Sequence, residues 1–361
     1  MNFKKTFKNK KILITGHTGF KGSWLTLWLL QCGAKIMGIS KDIPTNPSLF
    51  KTLNLKKKII DKRIDLKDIK SLGREINRFQ PDFIFHLAAQ SLVKKSLKDP
   101  YLTWLSNSLG TINILEVLKN IKIRKKITAI MITSDKSYKN IEIKRGYVEK
   151  DRLGGIDPYS ASKASAELAL QSYINLFFKD NKKNIVFGIA RAGNVIGGGD
   201  WAEDRLIPDC IKSWNKKKIV KIRSPKSTRP WQHVIEAISG YLIFAQKLKF
   251  KNKLNGEVFN FGPDNRNNYS VIDLIIELEK NNLKLKWKIE KEKNNIESSL
   301  LKINSNKAKT LLKWNCILSF KETINYLAEW YKEFYNNKNM YLFTKEQINK
   351  YEKKLQKVLI N

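Results

Sequence analysis

Lys11-Ile12-Leu13-Ile14-Thr15-Gly16-His17-Thr18-Gly19-Phe20-Lys21-Gly22 opens the readable part of this chain. Residues 11–15 have the continuous apolar character of a buried strand. Three glycines at spacing Gly-x-x-Gly-x-x-Gly follow at 16, 19 and 22. An apolar-rich helix is predicted over 23–32, stopped by Gly33, with a second strand over 35–40. A strand that gives way to a helix through glycines lets backbone N–H groups approach a pyrophosphate at the helix N-terminus. His17 and Lys21 sit in this turn and are expected to add positive charge there. Asp42 falls about 20 residues past the glycines, where an acidic residue can hold an adenosine ribose. Its neighbour Lys41 leaves NAD and NADP both open on this reading.

Strand and helix patterns keep alternating. Strands are expected over 59–66, 82–87, 127–132 and 185–190, with helices over 67–79, 101–120 and from 158 onward. This implies an α/β fold with a Rossmann-type, doubly wound parallel sheet. After about residue 195 the periodicity weakens. Domain boundaries are expected at 1–195 for the sheet domain, with later segments returning to it, and 196–340 for a smaller substrate-binding lobe. Residues 341–361 read as a basic amphipathic helix packed on the body or a neighbouring subunit.

The candidate chemistry sits at the ends of these strands. Thr133-Ser134-Asp135-Lys136 follows the 127–132 strand, where open parallel sheets bind ligands. Asp157-Pro158 caps a helix carrying Tyr159 and Lys163, four residues apart and so on one face. A phenol with an ordinary pKa of about 10 is a poor base at neutral pH, and an adjacent ammonium would lower it. Such a base can take a hydroxyl proton while hydride leaves the same carbon.

Composition bounds the alternatives. The chain has 361 residues, 42% hydrophobic, with a formal charge of +36. That charge suggests a nucleic-acid or anionic-membrane partner. Its lysines, however, are spread through loops such as 56–58, 216–218 and 291–295. No nucleic-acid motif and no basic run interleaved with aromatics is present. The reading is therefore a solvated surface, with no nucleic acid and no membrane as partner. Three cysteines and three histidines are scattered without metal-ligand spacing, so no metal site is expected. Free cysteines suit a reducing cytoplasm, and no signal peptide or membrane-length apolar run is seen.

The glycine turn, Asn107, Ser134, Tyr159 and Lys163, in this order, resemble the extended short-chain dehydrogenase/reductase family over about residues 9–335. Within it the chain resembles the nucleotide-sugar 4,6-dehydratases of the CDP-glucose branch. The residues that carry this are Gly16 to Leu25, Thr133 to Lys136, Gly154 to Ser160, the run RAGNVIGGGDWAEDRLIPD from Arg191 to Asp209, and Arg229-Pro230-Trp231-Gln232-His233-Val234. The resemblance implies NAD as cofactor and an internal redox cycle. Tyr159, aided by Ser134 and Lys163, would take the 4-hydroxyl proton during oxidation at C4. Asp135 would be the acid and Lys136 the base for loss of water across C5 and C6, and hydride would return to C6. The dTDP-glucose relatives carry glutamate where this chain has Lys136.

By the same resemblance Gly16, Thr18, Gly19, Phe20, Lys21 and Gly22 hold the pyrophosphate, and Asp65 and Leu66 lie by the adenine. Leu87, Ala88, Ala89, Gln90, Asn107 and Thr133 are expected around the cofactor with Tyr159 and Lys163. Asn194, Arg205, Arg229, Trp231, Gln232 and His233 are the substrate-side candidates, although His233 reads equally as a core histidine. Helices 101–120 and 158–178 would pair with a second copy, giving a homodimer or homotetramer. The competing readings are a dTDP- or GDP-sugar dehydratase, a nucleotide-sugar epimerase or decarboxylase, and a non-catalytic NAD-binding scaffold.

Overall fold

The computed structural model describes residues 2–122, 125–179, 184–222, 224–264, 269–290 and 300–360; the 291–295 loop lies outside them. Seven strands form one sheet: Lys11–Thr15 (β1), Lys35–Ser40 (β2), Ile60–Arg63 (β3), Phe83–His86 (β4), Ile127–Ile132 (β5), Ile185–Ala192 (β6) and Val258–Phe261 (β7). Their order is β7-β6-β5-β4-β1-β2-β3, and every pair is parallel. β5 and β6 are buried along their whole length, which is why they read as unbroken apolar runs.

Alternate residues along each strand serve two layers. Leu13, Met37, Ile39, Ile84, Ala129 and Met131 face Ile69–Phe79 (α2), Gly110–Lys119 (α3) and Pro158–Tyr173 (α4). Ile12, Ile14, Ile36, Phe83, Phe85 and Ile130 face the other layer, built on Phe20–Gln31 (α1) and Val234–Phe250 (α6). β1 has β2 on one side and β4 on the other, so the strand order reverses there. A crevice opens beyond the carboxyl ends of the strands at such a point.

Local boundaries have local causes. α1 begins at Phe20, earlier than its apolar run suggests, with Gly19 as N-cap. Half of the glycine turn is therefore the helix's own first turn. In α4 the Asp157 carboxylate accepts from Ser160 N at 3.0 Å and proline occupies the first position. The predicted 101–120 helix is in three parts: Pro100–Trp104, a π turn at Leu105–Leu109, and α3.

The chain leaves the sheet after β6 and returns. Leu206–Asn215 (α5) and a two-stranded ribbon of Val195–Ile196 with Gln232–His233 lie between, and two further ribbons pair segments before and after the return: Ile219–Ile222 with Lys286–Ile289, and Thr228–Arg229 with Tyr269–Ser270. α6 and β7 then rejoin the sheet. Gly188 of β6 is required there, because a Cβ on it would meet the Phe244 ring at 2.3 Å. Phe320–Tyr335 (α7) and Met340–Ile360 (α8) close the α1 layer. Trp28 Nε1 donates to Glu352 Oε1 at 2.6 Å, and the Trp28 and Tyr351 rings meet edge-on at 5.8 Å. Among the described residues no helix is long and apolar enough to cross a membrane.

Candidate active site

One cleft of about 1390 Å³ runs along the carboxyl ends of β1, β2, β4, β5 and β6. Single-ligand sites measure roughly 300–1,000 Å³, so it has room for two ligands. At one end is the glycine turn. Gly16 has φ +75°, and a Cβ there would stand 2.7 Å from Ala88 N. A Cβ on Gly22 would stand 2.1 Å from Gly16 O. No side chain caps α1, so its first N–H groups face the cleft uncovered. This is a cradle for a dinucleotide pyrophosphate. Thr18, Phe20 and Lys21 line it, with Asp42, Asp65 and Leu66 beyond. Thr18 Oγ1 donates to Asp42 O at 2.7 Å, which ties the turn to the segment after β2. Lys41 pairs with Asp65 at 3.5 Å. Leu87, Ala88, Ala89 and Gln90 continue the wall after β4.

Next to this cradle the strand end of β5 brings Thr133, Ser134, Asp135 and Lys136 into the cleft, facing Tyr159 and Lys163 from α4. Ser134 Oγ donates to Asp135 Oδ1 at 2.9 Å and accepts from Lys136 N at 3.1 Å, holding a tight 3₁₀ turn over Asp135–Ser137. Asp135 is almost fully buried; burial pushes its carboxyl up, against the pull of Lys136, Ser134 and Lys21. A carboxyl whose proton is held more firmly than usual is suited to act as an acid. Lys163 is buried too, donating from Nζ to Ile132 O at 3.2 Å, and burial lowers it to about 8. Lys21 is likewise lowered to about 8 by burial. Burial pushes the Tyr159 phenol up, opposed by its Ser134 hydrogen bond and by Arg205. The sequence leads one to expect a depressed phenol; here desolvation outweighs the groups that lower it, while the Lys163 ammonium bonds the β5 carbonyl and stays on the same wall of the cleft as Tyr159.

On the substrate side Asn194, Arg205, Arg229 and Trp231 line the cleft. Arg205 donates from Nη1 to Asp200 Oδ2 at 3.0 Å.

Four expected site residues do not line the cleft. His17 is fully buried, with Nε2 at 2.8 Å from Asp61 and Nδ1 at 2.9 Å from Ser40; burial lowers it, so it brings no charge to a phosphate. Asn107 is pinned between segments: Oδ1 accepts from Gln90 N at 2.7 Å, and Nδ2 donates to Gln90 O and Ser162 Oγ. These bonds tie the segment after β4 to α4. Gln232 donates to Phe261 O at 2.9 Å and is buried. His233 packs between Trp24 and Tyr326 as the N-cap of α6, neutral through burial, so the core reading holds.

Two site-supporting groups escaped the sequence reading. Asp200 orients Arg205. Beneath the catalytic turn, Glu167 takes two hydrogen bonds from Arg191 Nε, at 2.9 and 3.0 Å, and another from Nη2, and accepts from Thr133 Oγ1 at 2.9 Å. Glu167 is four residues past Lys163, the same helical spacing that singled out Tyr159 and Lys163.

The seven-stranded parallel sheet and this Ser-Tyr-Lys cluster define a Rossmann-type short-chain dehydrogenase/reductase. The chain belongs to the GDP-mannose 4,6 dehydratase family, whose model matches residues 13–327. It is 40% identical to the CDP-glucose 4,6-dehydratase of Salmonella typhimurium, covering 96% of this chain and 98% of that one. It is 31% identical to the dTDP-D-glucose 4,6-dehydratase of Dictyostelium discoideum, over 73% of this chain and 61% of that one. Among solved structures it resembles the UDP-glucuronic acid 4-epimerase of Bacillus cereus, determined with UDP-glucuronic acid and NAD. The TM-score is 0.75 at 26% identity, covering 90% of this chain and 100% of that chain.

Proposed function

We propose that this chain is a hydro-lyase that binds NAD and CDP-glucose in the one cleft and forms CDP-4-dehydro-6-deoxyglucose. The observation that carries this reading is the Ser134-Asp135-Lys136 turn. It brings an acid and a potential base to the same wall as Tyr159 and Lys163. An epimerase needs only the tyrosine and the lysine. The 40% identity to a CDP-glucose 4,6-dehydratase supports the same substrate.

The NAD, when bound, supplies the hydride acceptor for C4 and the hydride donor for C6. Gly16, Gly19 and Gly22 admit its pyrophosphate, and Leu87 to Gln90 flank it. Tyr159 takes the proton of the 4-hydroxyl with Ser134 hydrogen-bonded to its oxygen, and Lys163 supports the phenolate. The resulting ketone makes the C5 hydrogen acidic. Lys136 removes it. Asp135 protonates the C6 oxygen, which departs as water with the bonding electron pair. Arg205 and Arg229 are placed for the diphosphate, where a guanidinium fork gives paired hydrogen bonds. Lys136 favours the cytidine sugar, by resemblance, over the dTDP-sugars.

The work of such an enzyme is deoxysugar supply for surface polysaccharide such as an O-antigen, in the cytoplasm. It acts as a homo-oligomer. Tyr101, Trp104, Leu168 and Leu176 are exposed on the two helical segments around α3 and α4, an apolar face that a second copy covers.

The test offers CDP-, dTDP-, UDP- and GDP-glucose separately with NAD and follows loss of one water by mass and a C6 methyl by NMR. Water loss from CDP-glucose alone is the expected result. Water loss from dTDP-glucose instead would overturn the reading of Lys136. NAD binding without water loss from any sugar would return the epimerase and the scaffold.

A further inference from the structure

The helix that packs on β6 and β7 carries a buried hydroxyl with no hydrogen-bond partner among the described residues. Tyr241 lies on α6, and its ring meets Phe261 of β7 edge-on at 5.7 Å. Phe261 is the register partner of Ala192 in β6. The next residue, Gly193, abuts the catalytic turn: a Cβ there would stand 3.4 Å from Asp135 Oδ2. Tyr241 is fully buried, and its hydroxyl has no hydrogen-bond partner among the described residues. Asp135 and Tyr159 both act on it electrostatically, and with burial they push the phenol up. It therefore stays protonated and can only donate to a carboxylate.

A buried hydroxyl without a partner is destabilising, and phenylalanine would fill the same space without that burden. An orphaned polar group beside an active site calls for a state in which it is used. On the dehydratase reading, on which this inference rests, such a state arises in each turnover. Asp135 gives its proton to the C6 oxygen, the C6–O bond breaks, and a carboxylate is left in a buried site. Ser134 already donates to Oδ1 at 2.9 Å. The other charged or titratable groups acting on Asp135 are Lys136 on its own turn, Lys21 of α1 and Tyr159 of α4.

We propose that Tyr241 donates a hydrogen bond to the Asp135 carboxylate formed when water leaves, making it a positioning residue for the elimination step. Tyr241 does not line the cleft, so its effect is confined to the step in which Asp135 changes charge.

The experiment uses Tyr241→Phe in the full chain with NAD. Oxidation alone is read with CDP-6-deoxyglucose, which has no hydroxyl to lose at C6, by absorbance of the reduced nicotinamide in a single turnover. Elimination is read as water loss from CDP-glucose. The expected result is oxidation of the analogue at the parent rate, water loss slower by about tenfold or more, and a melting temperature that is unchanged or higher. In an Asp135→Asn background the same substitution is expected to add nothing. Equal loss of both rates with earlier melting, unchanged water loss, or a tenfold loss that persists in Asp135→Asn would each overturn the proposal. A parent enzyme that oxidises the analogue but loses no water from CDP-glucose would instead overturn the dehydratase reading.

Discussion

Glu167→Gln tests how the catalytic strand end is held. The substitution keeps the shape of the side chain and removes its charge. Arg191 is then left 1% exposed without its ion-pair partner, with Glu149 and Asp151 still acting on it, and its Nε and Nη2 hydrogen bonds to a carboxylate are weakened. Breaking one half of a buried pair costs about 3–5 kcal/mol. For 361 residues the unfolding entropy is about 0.75 kcal/mol per kelvin, so the melting temperature should fall by roughly 4–7 °C. Chemistry should shift as well. Glu167 raises Lys163, which burial has already brought down to about 8. Without that charge Lys163 loses its proton at a lower pH. Support for the Tyr159 phenolate needs the ammonium, so the alkaline limb of C4 oxidation should move to lower pH. The assay is a thermal melt together with the pH profile of single-turnover oxidation. A paired Glu167→Met, Arg191→Met variant separates the two effects: it should recover most of the melting temperature and keep the shifted limb. An unmoved melt and an unmoved limb in Glu167→Gln would refute the reasoning.

Three further outcomes follow from the site and the surface. Asp135→Asn should keep C4 oxidation and lose water elimination by about 100-fold or more, the contribution of a positioned acid, as read by reduced-nicotinamide absorbance against product mass. His233→Leu should leave KM for the nucleotide sugar unchanged and cost about 1 kcal/mol by denaturant melt, because its Nδ1 caps α6 at 3.3 Å and lines no cleft. A raised KM would return His233 to the substrate side. Leu168→Glu with Leu176→Glu should leave a monomer in equilibrium sedimentation, since both residues stand more than half exposed on the 158–178 helical segment; an unchanged oligomer would place the interface elsewhere.

The parallel sheet was legible because its inner strands serve two buried layers and so show as apolar runs, and because glycines mark the first turn; the edge strand β3, Ile60–Arg63, is charged and half-exposed. The catalytic strand end was legible for the same reason: Thr133 to Lys136 follow directly on such a run. What the letters could not show was which way a side chain points. Gln232 and His233 share a motif with Arg229 and Trp231, yet the two-residue strand they form carries them into the core while Trp231 remains at the cleft. His17 lies among phosphate-binding residues but turns through the sheet's edge to Asp61, against Gly38, where any Cβ would meet its ring at 2.3 Å. Asn107 sits at a π turn, where the helical phase slips and side-chain direction no longer follows the 3.6-residue period. Tyr241 was hidden differently. It is one aromatic in an apolar helix, and only the absence of a partner for its hydroxyl sets it apart.

The clasp between α1 and α8 bears on how the protein is made. Trp24 and Trp28 are translated well ahead of α8, which packs on α1, and both end fully buried. Part of the cover for Trp28 is Tyr351 and Glu352, which are translated more than three hundred residues later. Throughout synthesis that side of α1 waits bare, beside a sheet that also lacks β7 until residue 261 has emerged. A nascent chain with such a surface is a client for chaperones and a seed for aggregation. Ribosome stalling or premature termination between β7 and α8 would therefore yield a sticky fragment that holds the whole catalytic cluster and still cannot close.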